Sequence, residues 1–523
     1  MHRLTAQCTI NRTAAFGAVA ALIAMISGCA SGGGSSGGTA DAITIALGSA
    51  PISLDPSQAQ NSSDGQAYTD LAYAPLINLN SDGTFSPALA TSWKYTDSSL
   101  TTFQLTLRPG ATFSDGKPLT SDTVIKSIER AKTGAGVAAP YAAAITSMDA
   151  PDDHTVVLHL ARPDPTIADI LTQRYLVGSI VGPDGLADPG SLGTRTDGAG
   201  PYMLDMSQTV PGDHYTYVPN PHYWDKKAVH FKTFTVRVIP NPQTAYNALR
   251  SGQVSYIGGS FSTVGQAQGA GFTVYSALSD WYGIFLVDRG GAVVPALASQ
   301  EVRQALNYAV DRAAITKSLF GYGAPTDEIS DSAYTDDGYD DSYASHYTYD
   351  LSKAKKLLAE AGYPHGFTLT IAATATYGDG VEVAQAVASD WAKIGVNAKI
   401  EAFNNLSSFG APLQAKKLPA FAGNLDVQPM YLESTQILDA NAGFFNVFKA
   451  ADPPLTQLLA TARAQTSKQA IADAWSAVER RVVDLGWFVP VSAGPTQYYA
   501  VKNLKGIALS AANFVPDPSK FHF

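Results

Sequence analysis

Several short stretches carry residues at spacings that could do chemistry. In "MISGCASGGGSSGG", Met25 to Gly38, Cys29 stands between an apolar run and a glycine-serine tract. Within that tract Gly32, Gly34 and Gly37 match G-x-G-x-x-G, a turn that cradles phosphates, while Gly33, Ser35 and Gly37 match the G-x-S-x-G of a hydrolase nucleophile elbow. Both chemistries need a strand before the turn and a helix after it. Here a leader-like segment precedes and Gly-Thr-Ala follows, so both matches are accidents of composition. Further on, Ser114 and Lys117 form an S-x-x-K and Lys132-Thr133-Gly134 a K-T-G, the set used for serine acyl transfer. The first falls in a predicted turn, the second at a helix end, and no S-x-N lies between them, which disfavours that enzyme class. Of the histidines, His154 and His159 sit on one predicted strand at an odd offset and face opposite sides, and His214, His222 and His230 are scattered among loops. They make no ligand cluster.

The chemistry that survives at Cys29 is processing. His2, Arg3 and Arg12 give a basic start, and the apolar run Ala14 to Ile26 has the length of a signal-peptide core. It is short of the ~20 residues that span a bilayer. Ile26-Ser27-Gly28-Cys29 resembles a bacterial lipobox, in which the cysteine receives a diacylglyceryl group and cleavage falls ahead of it. Residues 1–28 are therefore expected to be a signal peptide, and 29–40 a lipidated Cys29 followed by a flexible tether. Each buried acyl CH₂ contributes about 0.8 kcal/mol, so two or more chains anchor stably. The expected location is the outer face of the cell membrane, held there by lipid.

The whole chain has 523 residues, 45% hydrophobic and 15% charged, enough for two or more lobes with large cores. A formal charge of −10 and the absence of a Lys/Arg cluster exclude nucleic acid as a partner. Cys8 and Cys29 are the only cysteines, which leaves nothing beyond Cys29 for disulfides or thiolate metal sites.

The positioning elements read as α/β. "DAITIALG" alternates as a first strand, and Phe103, Leu105 and Leu107 mark a strand in a strand-rich region whose one helix, with Ser121 as cap, carries Val124, Ile125 and Ile128 on one stripe. "HFKTFTVRVI", "NPQTAYNALRSG" and "QVSYIGG" form one β-α-β unit. "GFTLTIAAT", "VEVAQAVASDWAKIG" and "VNAKIEAF" form another. Between them "SQEVRQALNYAVDRAAITKSLF" is predicted as one long helix, and "YDLSKAKKLLAEAGY" as a second, capped by Asp350 and stopped by Gly362. The acidic, Tyr-rich tract Asp327 to Asp350 lacks the offsets of a calcium loop and is expected to be a solvated loop.

In order along the chain, "SPALATSWKYTD", "FQLTLRPGATFSDGKPLTSDTVIKSIERA", "GAGPYMLDM" with "PNPHYWDKK", "ALRSGQV", "VRQALNYAVDR" and "YDLSKAKKLLAEAGYP" resemble the solute-binding proteins of ABC importers, family five, the dipeptide, oligopeptide and nickel-binding type. The resemblance implies an α/β, two-lobed periplasmic-binding-protein-like fold with an inserted α+β subdomain in the first lobe. The first lobe would comprise 41–75, 195–285 and 495–523, the insert 76–194 and the second lobe 286–494. It implies a monomer that captures a small-molecule or oligopeptide ligand between lobes and delivers it to an ABC permease with its ATPase subunits. It implies no enzyme and no cofactor, and it leaves ATP hydrolysis to the separate ATPase subunits, consistent with the lack of a G-x-x-x-x-G-K-[ST] here.

Peptide-binding members pair a second-lobe aspartate with the ligand's α-ammonium in a segment like Trp-x-x-Asp-Tyr-Pro-Asp-Pro. This chain has "FAGNLDVQPMYLEST", which makes Asp426 the nearest match without its flanking pattern. Trp281 and Tyr282 in "SALSDWYGIFLV" match the stretch crossing between lobes, where an aromatic walls the pocket, and Tyr431 is a further ligand-contact expectation. With the flanking pattern lost, an oligosaccharide and a haem or nickel complex stand beside the oligopeptide as ligand classes.

Overall fold

The computed structural model describes residues 41–523 apart from 60–62, 322, 331–337, 341, 344, 375–379, 405 and 441–444. The leader, Cys29 and the tether lie outside the described residues. Among those described, the largest sheet has 11 strands. At its centre the long strand Thr273–Leu286 runs antiparallel to Phe488–Ala500. Beyond Phe488–Ala500 come Tyr256–Gly258, Ala42–Leu47, Thr233–Val238, His214–Pro219 and Tyr202–Leu204; beyond Thr273–Leu286 come Ala420–Asp426, Thr368–Thr374 and Asn397–Phe403; the short Ala324–Pro325 pairs with Phe488–Ala500 off this path.

Each half is organised by one of the predicted β-α-β units. Thr233–Val238 buries Phe234 and Val236, and the helix Pro242–Arg250 starts where the Asn241 side chain accepts the Thr244 amide with proline at the first turn. Gly252, at φ +75, ends it. The chain then enters Tyr256–Gly258 on the far side of Ala42–Leu47, which pairs in parallel with both strands of the unit. In the second half Thr368–Thr374 and Asn397–Phe403 are direct parallel neighbours, with the helix Gly380–Ala392 between them in sequence.

The strand-rich region forms a separate antiparallel sheet of four strands in the order Ala90–Tyr95, Thr102–Leu107, Thr155–Leu160, Ile145–Asp152. Phe103, Leu105 and Leu107 share one buried cluster with Val124 and Ile128 of the helix Ser121–Thr133. The cap of this helix is Thr120 rather than Ser121. Thr120 is still extended and accepts the Thr123 amide, whereas Ser121 is already helical and its hydroxyl donates to the Asp152 carbonyl at 2.6 Å.

Two further expectations change. The long helix over 299–320 is broken into Gln300–Tyr308, Arg312–Ile315 and a wider turn Thr316–Phe320. The break has a cause: the Asp311 side chain caps the second piece by accepting the Ala314 amide, and Arg312 turns back to donate to the Asn307 carbonyl and side chain. The acidic tract is not solvated at its start. Buried Arg312 needs a counter-charge and takes Asp327 at 2.5 Å, and Glu328 is fully buried against the helix Lys468–Leu485. Asp340 and Ser330 donate to Glu328, while the Ile329 amide donates to Glu479 at 2.9 Å.

Burial pushes the Glu328 and Glu479 carboxyls above their ordinary range, and the Glu479 charge pushes Glu328 further. A carboxyl raised in the folded state stabilises fully below its unfolded value, and that contribution is lost as pH rises through the folded value. The melting temperature should therefore fall between about pH 5 and about pH 9. Glu479→Gln should flatten that fall in a thermal-unfolding series; an equally steep fall in the variant would remove this pair as its source.

Candidate functional site

The site grows from the two crossing strands. Thr273–Leu286 pairs with Phe488–Ala500 through a register break between Leu278 and Asp280, and on its other edge Asp280 stands opposite Asp426. A break of this kind re-aims a side chain. Asp280 is buried, accepting from Ser279 Oγ at 2.5 Å, from Thr496 Oγ1 at 3.3 Å and from Asn424 Nδ2 at 2.5 Å. Its carboxyl is also hydrogen-bonded to Asp426. Burial first, and the Asp426 charge second, push it well above the usual carboxylate range. The raised Asp280 carboxyl favours its protonated form, and a cation beside it can take the place of that proton.

Asp426 ends its strand at the wall of a cavity of about 420 Å³, together with Asn424, Gln428, Gln66, Tyr141 and Arg174. These residues come from three regions. Gln66 belongs to the helix Ser63–Ala72, and Tyr141 and Arg174 to the region carrying the four-stranded sheet. Asn424 and Asp426 close the strand Ala420–Asp426, and Gln428 lies just past its end. Arg174 donates to the carbonyls of Val427 and Ala512, and its guanidinium lies 4.8 Å over the Phe514 ring. The Tyr141 hydroxyl donates to Gln428 at 3.0 Å and accepts from Gln436. The cavity is thus bounded by hydrogen bonds that reach from one region to the next.

A second cavity of about 670 Å³ is lined by Asp64, Ser260, Tyr282, Glu382, Thr496 and Tyr498 among others. Asp64 accepts from the Ser49 amide and hydroxyl at 2.8 and 2.7 Å, and burial raises its carboxyl above the ordinary range despite those bonds. Burial first, and then the charges of Asp64, Asp280 and Asp426, push the Tyr498 hydroxyl well up.

Two of the sequence-predicted residues, Tyr282 and Asp426, line these cavities, one in each. The Tyr282 ring packs 4.5 Å from Phe320. Trp281, next in the strand, faces the other way: it is 1% exposed, stacked on Phe285 at 4.7 Å, with its Nε1 donating to Glu433 at 3.3 Å. Tyr431 is buried, donating to the Pro163 carbonyl at 2.9 Å and accepting from Arg162 at 3.1 Å, and it lines neither cavity. Cys29 lies outside the described residues. Sequence reasoning passed over Asp280, Arg174 and Asp64. The one signal was Asp280 itself, a lone charge inside the otherwise uncharged "YSALSDWYGIFLV".

The disfavoured chemistries have ordinary structural explanations. Lys117 is paired with Asp184 and Asp115, which hold its ammonium above the usual lysine range and unsuit it as a base. His159 and His214 each lean on one aspartate, Asp149 and Asp213. Among the described residues no three His, Cys, Asp or Glu side chains are placed to hold a metal ion, and no helix is long and apolar enough to cross a membrane.

A sheet joined at its middle by two crossing strands, an added four-stranded subdomain and polar cavities beside the crossing define a two-lobed, cleft-type binding protein. The chain belongs to the bacterial extracellular solute-binding proteins, family 5, whose family model matches residues 84–440. The glutathione-binding protein of Salmonella typhimurium is 27% identical over 370 residues, covering 69% of each chain. The structure of AgaA in complex with agropinic acid, from A. tumefaciens R10, aligns with a TM-score of 0.79 at 26% identity over 92% of this chain and 97% of the other. DppA from Helicobacter pylori in complex with the peptide STSA aligns with a TM-score of 0.77 at 21% identity over 91% and 98%. The fold is the two-lobed periplasmic-binding type, and the function class is solute capture for an ABC importer.

Trp281 is core by its packing, so Trp281→Ala should lower stability by about 3–5 kcal/mol, the range for a large buried aromatic. Urea unfolding measures this, and a loss under about 1 kcal/mol would mean that the ring fills no core space.

Proposed function

We propose that this protein captures an oligopeptide between its lobes and hands it to an ABC permease and its ATPase subunits, while Cys29 holds it by lipid to the outer face of the cell membrane. The observation that carries the ligand class is the Asp280–Asp426 pair. Asp426 of this pair lines a cavity of about 420 Å³ that Arg174 also lines, with Asp280 hydrogen-bonded to it from the neighbouring strand. A free α-ammonium entering there meets the Asp426 carboxylate, with the buried Asp280 carboxyl behind it, and Arg174 supplies a donor for peptide carbonyls or a carboxylate. That a solved relative holds the peptide STSA supports the same class.

Capture works by differential binding. A ligand that touches Asp426 on one side and Gln66, Tyr141 or Arg174 on the other gains contacts only when the walls are together, and that difference shifts the population towards closure. In this reading 41–75, 195–285 and 495–523 make the first lobe, 286–494 the second and 76–194 the insert. Their meeting along the strands Thr273–Leu286 and Phe488–Ala500 supports that partition. The protein acts as a monomer.

Calorimetry of the mature chain with short peptides should show binding that an acetylated N-terminus abolishes. Asp426→Asn should weaken binding by more than about 30-fold, the scale for losing one partner of a buried charged contact. Binding indifferent to acetylation would contradict an ammonium anchor, and no binding of any peptide would contradict the class. For the anchor, Cys29→Ser should move the protein from the membrane fraction to the soluble one; a variant that stays membrane-bound would rule the lipid out as the attachment.

A further inference from the structure

The cavity of about 670 Å³ adjoins the one that Asp426 lines, and the peptide anchor at Asp426 makes no use of it. The two are linked in three places. The helix Ser63–Ala72 gives Asp64 to the larger cavity and Gln66 to the smaller. Tyr282, lining the larger, stands in register opposite Asn424, lining the smaller. Thr496 also lines the larger cavity and donates to Asp280 at 3.3 Å, and Asp280 is hydrogen-bonded to Asp426. A peptide anchored at Asp426 therefore has this space beside it.

The charge of that space is one-sided. Asp64 and Glu382 line it, and among the described residues no Lys, Arg or His does. Neither acid has an ion-pair partner among the described residues. Asp64 is half-buried and accepts only from the neutral donors of Ser49 and Gly48, while Glu382, in the first turn of the helix Gly380–Ala392, is exposed. Tyr498 adds a third polar group. It is 7% exposed with its ring stacked on Tyr256 at 5.5 Å, and its hydroxyl has no hydrogen-bond partner among the described residues. A buried hydroxyl without a partner is costly, and an occupant that bonds to it removes that cost. Tyr282 and Phe261, both packed on Phe320, supply ring surface in the same wall.

We propose that this cavity seats a basic side chain of the captured peptide, with Asp64 and Glu382 as its counter-charges and Tyr498 as a hydrogen-bond partner. These residues then set a preference for lysine- or arginine-containing peptides. The alkyl stem of such a side chain lies along the rings of Tyr282 and Phe261 while its cationic head reaches the carboxylates. Asp64 belongs to the first lobe and Glu382 to the second, so the cation gains both contacts only when the lobes are together and adds to closure. The inference rests on the peptide reading of the cleft and narrows it to a class of peptides.

The test is calorimetry of the mature chain with Ala-Ala-Ala and with tripeptides carrying one lysine at each position in turn, each beside its Nε-acetyllysine counterpart. A second set carries arginine beside citrulline. At one position or more the charged residue should bind at least about tenfold tighter than its neutral counterpart, the scale of one charge-assisted hydrogen bond. Asp64→Asn should lower that ratio to below about threefold. Glu382→Gln, a change at an exposed position, should lower it likewise and gives the reading if Asp64→Asn fails to fold. The proposal is overturned if peptides bind with a ratio below tenfold at every position, or if the ratio is undiminished in the variants that fold. Binding by none of the peptides overturns the peptide reading itself and this inference with it, so the two failures are told apart.

Discussion

The antiparallel pairing of Thr273–Leu286 with Phe488–Ala500 is the constraint on which the rest of the molecule depends. It joins the half of the sheet built around Ala42–Leu47 to the half built around Thr368–Thr374, so both halves take their position from one ladder of backbone hydrogen bonds. The approach is close enough to dictate residue types. A side chain at Gly283 would meet the Val489 carbonyl oxygen at 2.3 Å, and one at Gly494 would meet the Tyr282 ring at 2.5 Å. The ladder is interrupted at Leu278/Asp280 and again at Tyr282/Gly283, and between those breaks lie Asp280, Trp281 and Tyr282. One of these three carries the buried carboxyl, one fills the core and one faces a cavity.

Charge placement is set by that geometry. Asp280 and Asp426 meet because their strands are in register, while Asp64 lines the neighbouring cavity from a separate helix. Such a group is tolerated when it is hydrogen-bonded, as Asp280 is by Ser279, Thr496 and Asn424. Arg174 is the counterpart, tied to the backbone carbonyls of Val427 and Ala512. Structural ion pairs elsewhere, such as Arg312 with Asp327, show the same rule used only for packing. What separates the cleft from those is that its carboxyls face each other rather than a cation of the protein.

Much of the fold was legible in the sequence, because period-two and period-3.6 patterns survive wherever one face is buried. The helix over 351–360 with its Asp350 cap and the strands holding Phe103, Phe234 and Ile371 are such cases. The broken helix at 299–320 was not legible, since its apolar stripe continues across the break and only the pairing of Asn307, Asp311 and Arg312 interrupts it. The burial of Glu328 was hidden for a related reason: an acidic tract reads as solvated unless the partner, here Glu479 about 150 residues away, is known. The site was half legible. Asp426 and Tyr282 came from local resemblance, whereas Asp280, Arg174 and Asp64 join the cleft only through long-range pairing that no local pattern encodes.

The most direct measurement is a crystal structure of the mature chain with a bound short peptide. The peptide's terminal nitrogen should lie within hydrogen-bond distance of Asp426, with the direct contact between Asp280 and Asp426 replaced by contacts to that nitrogen. A peptide seated in the cleft with its ammonium elsewhere and the Asp280–Asp426 contact intact would contradict the role assigned to the pair.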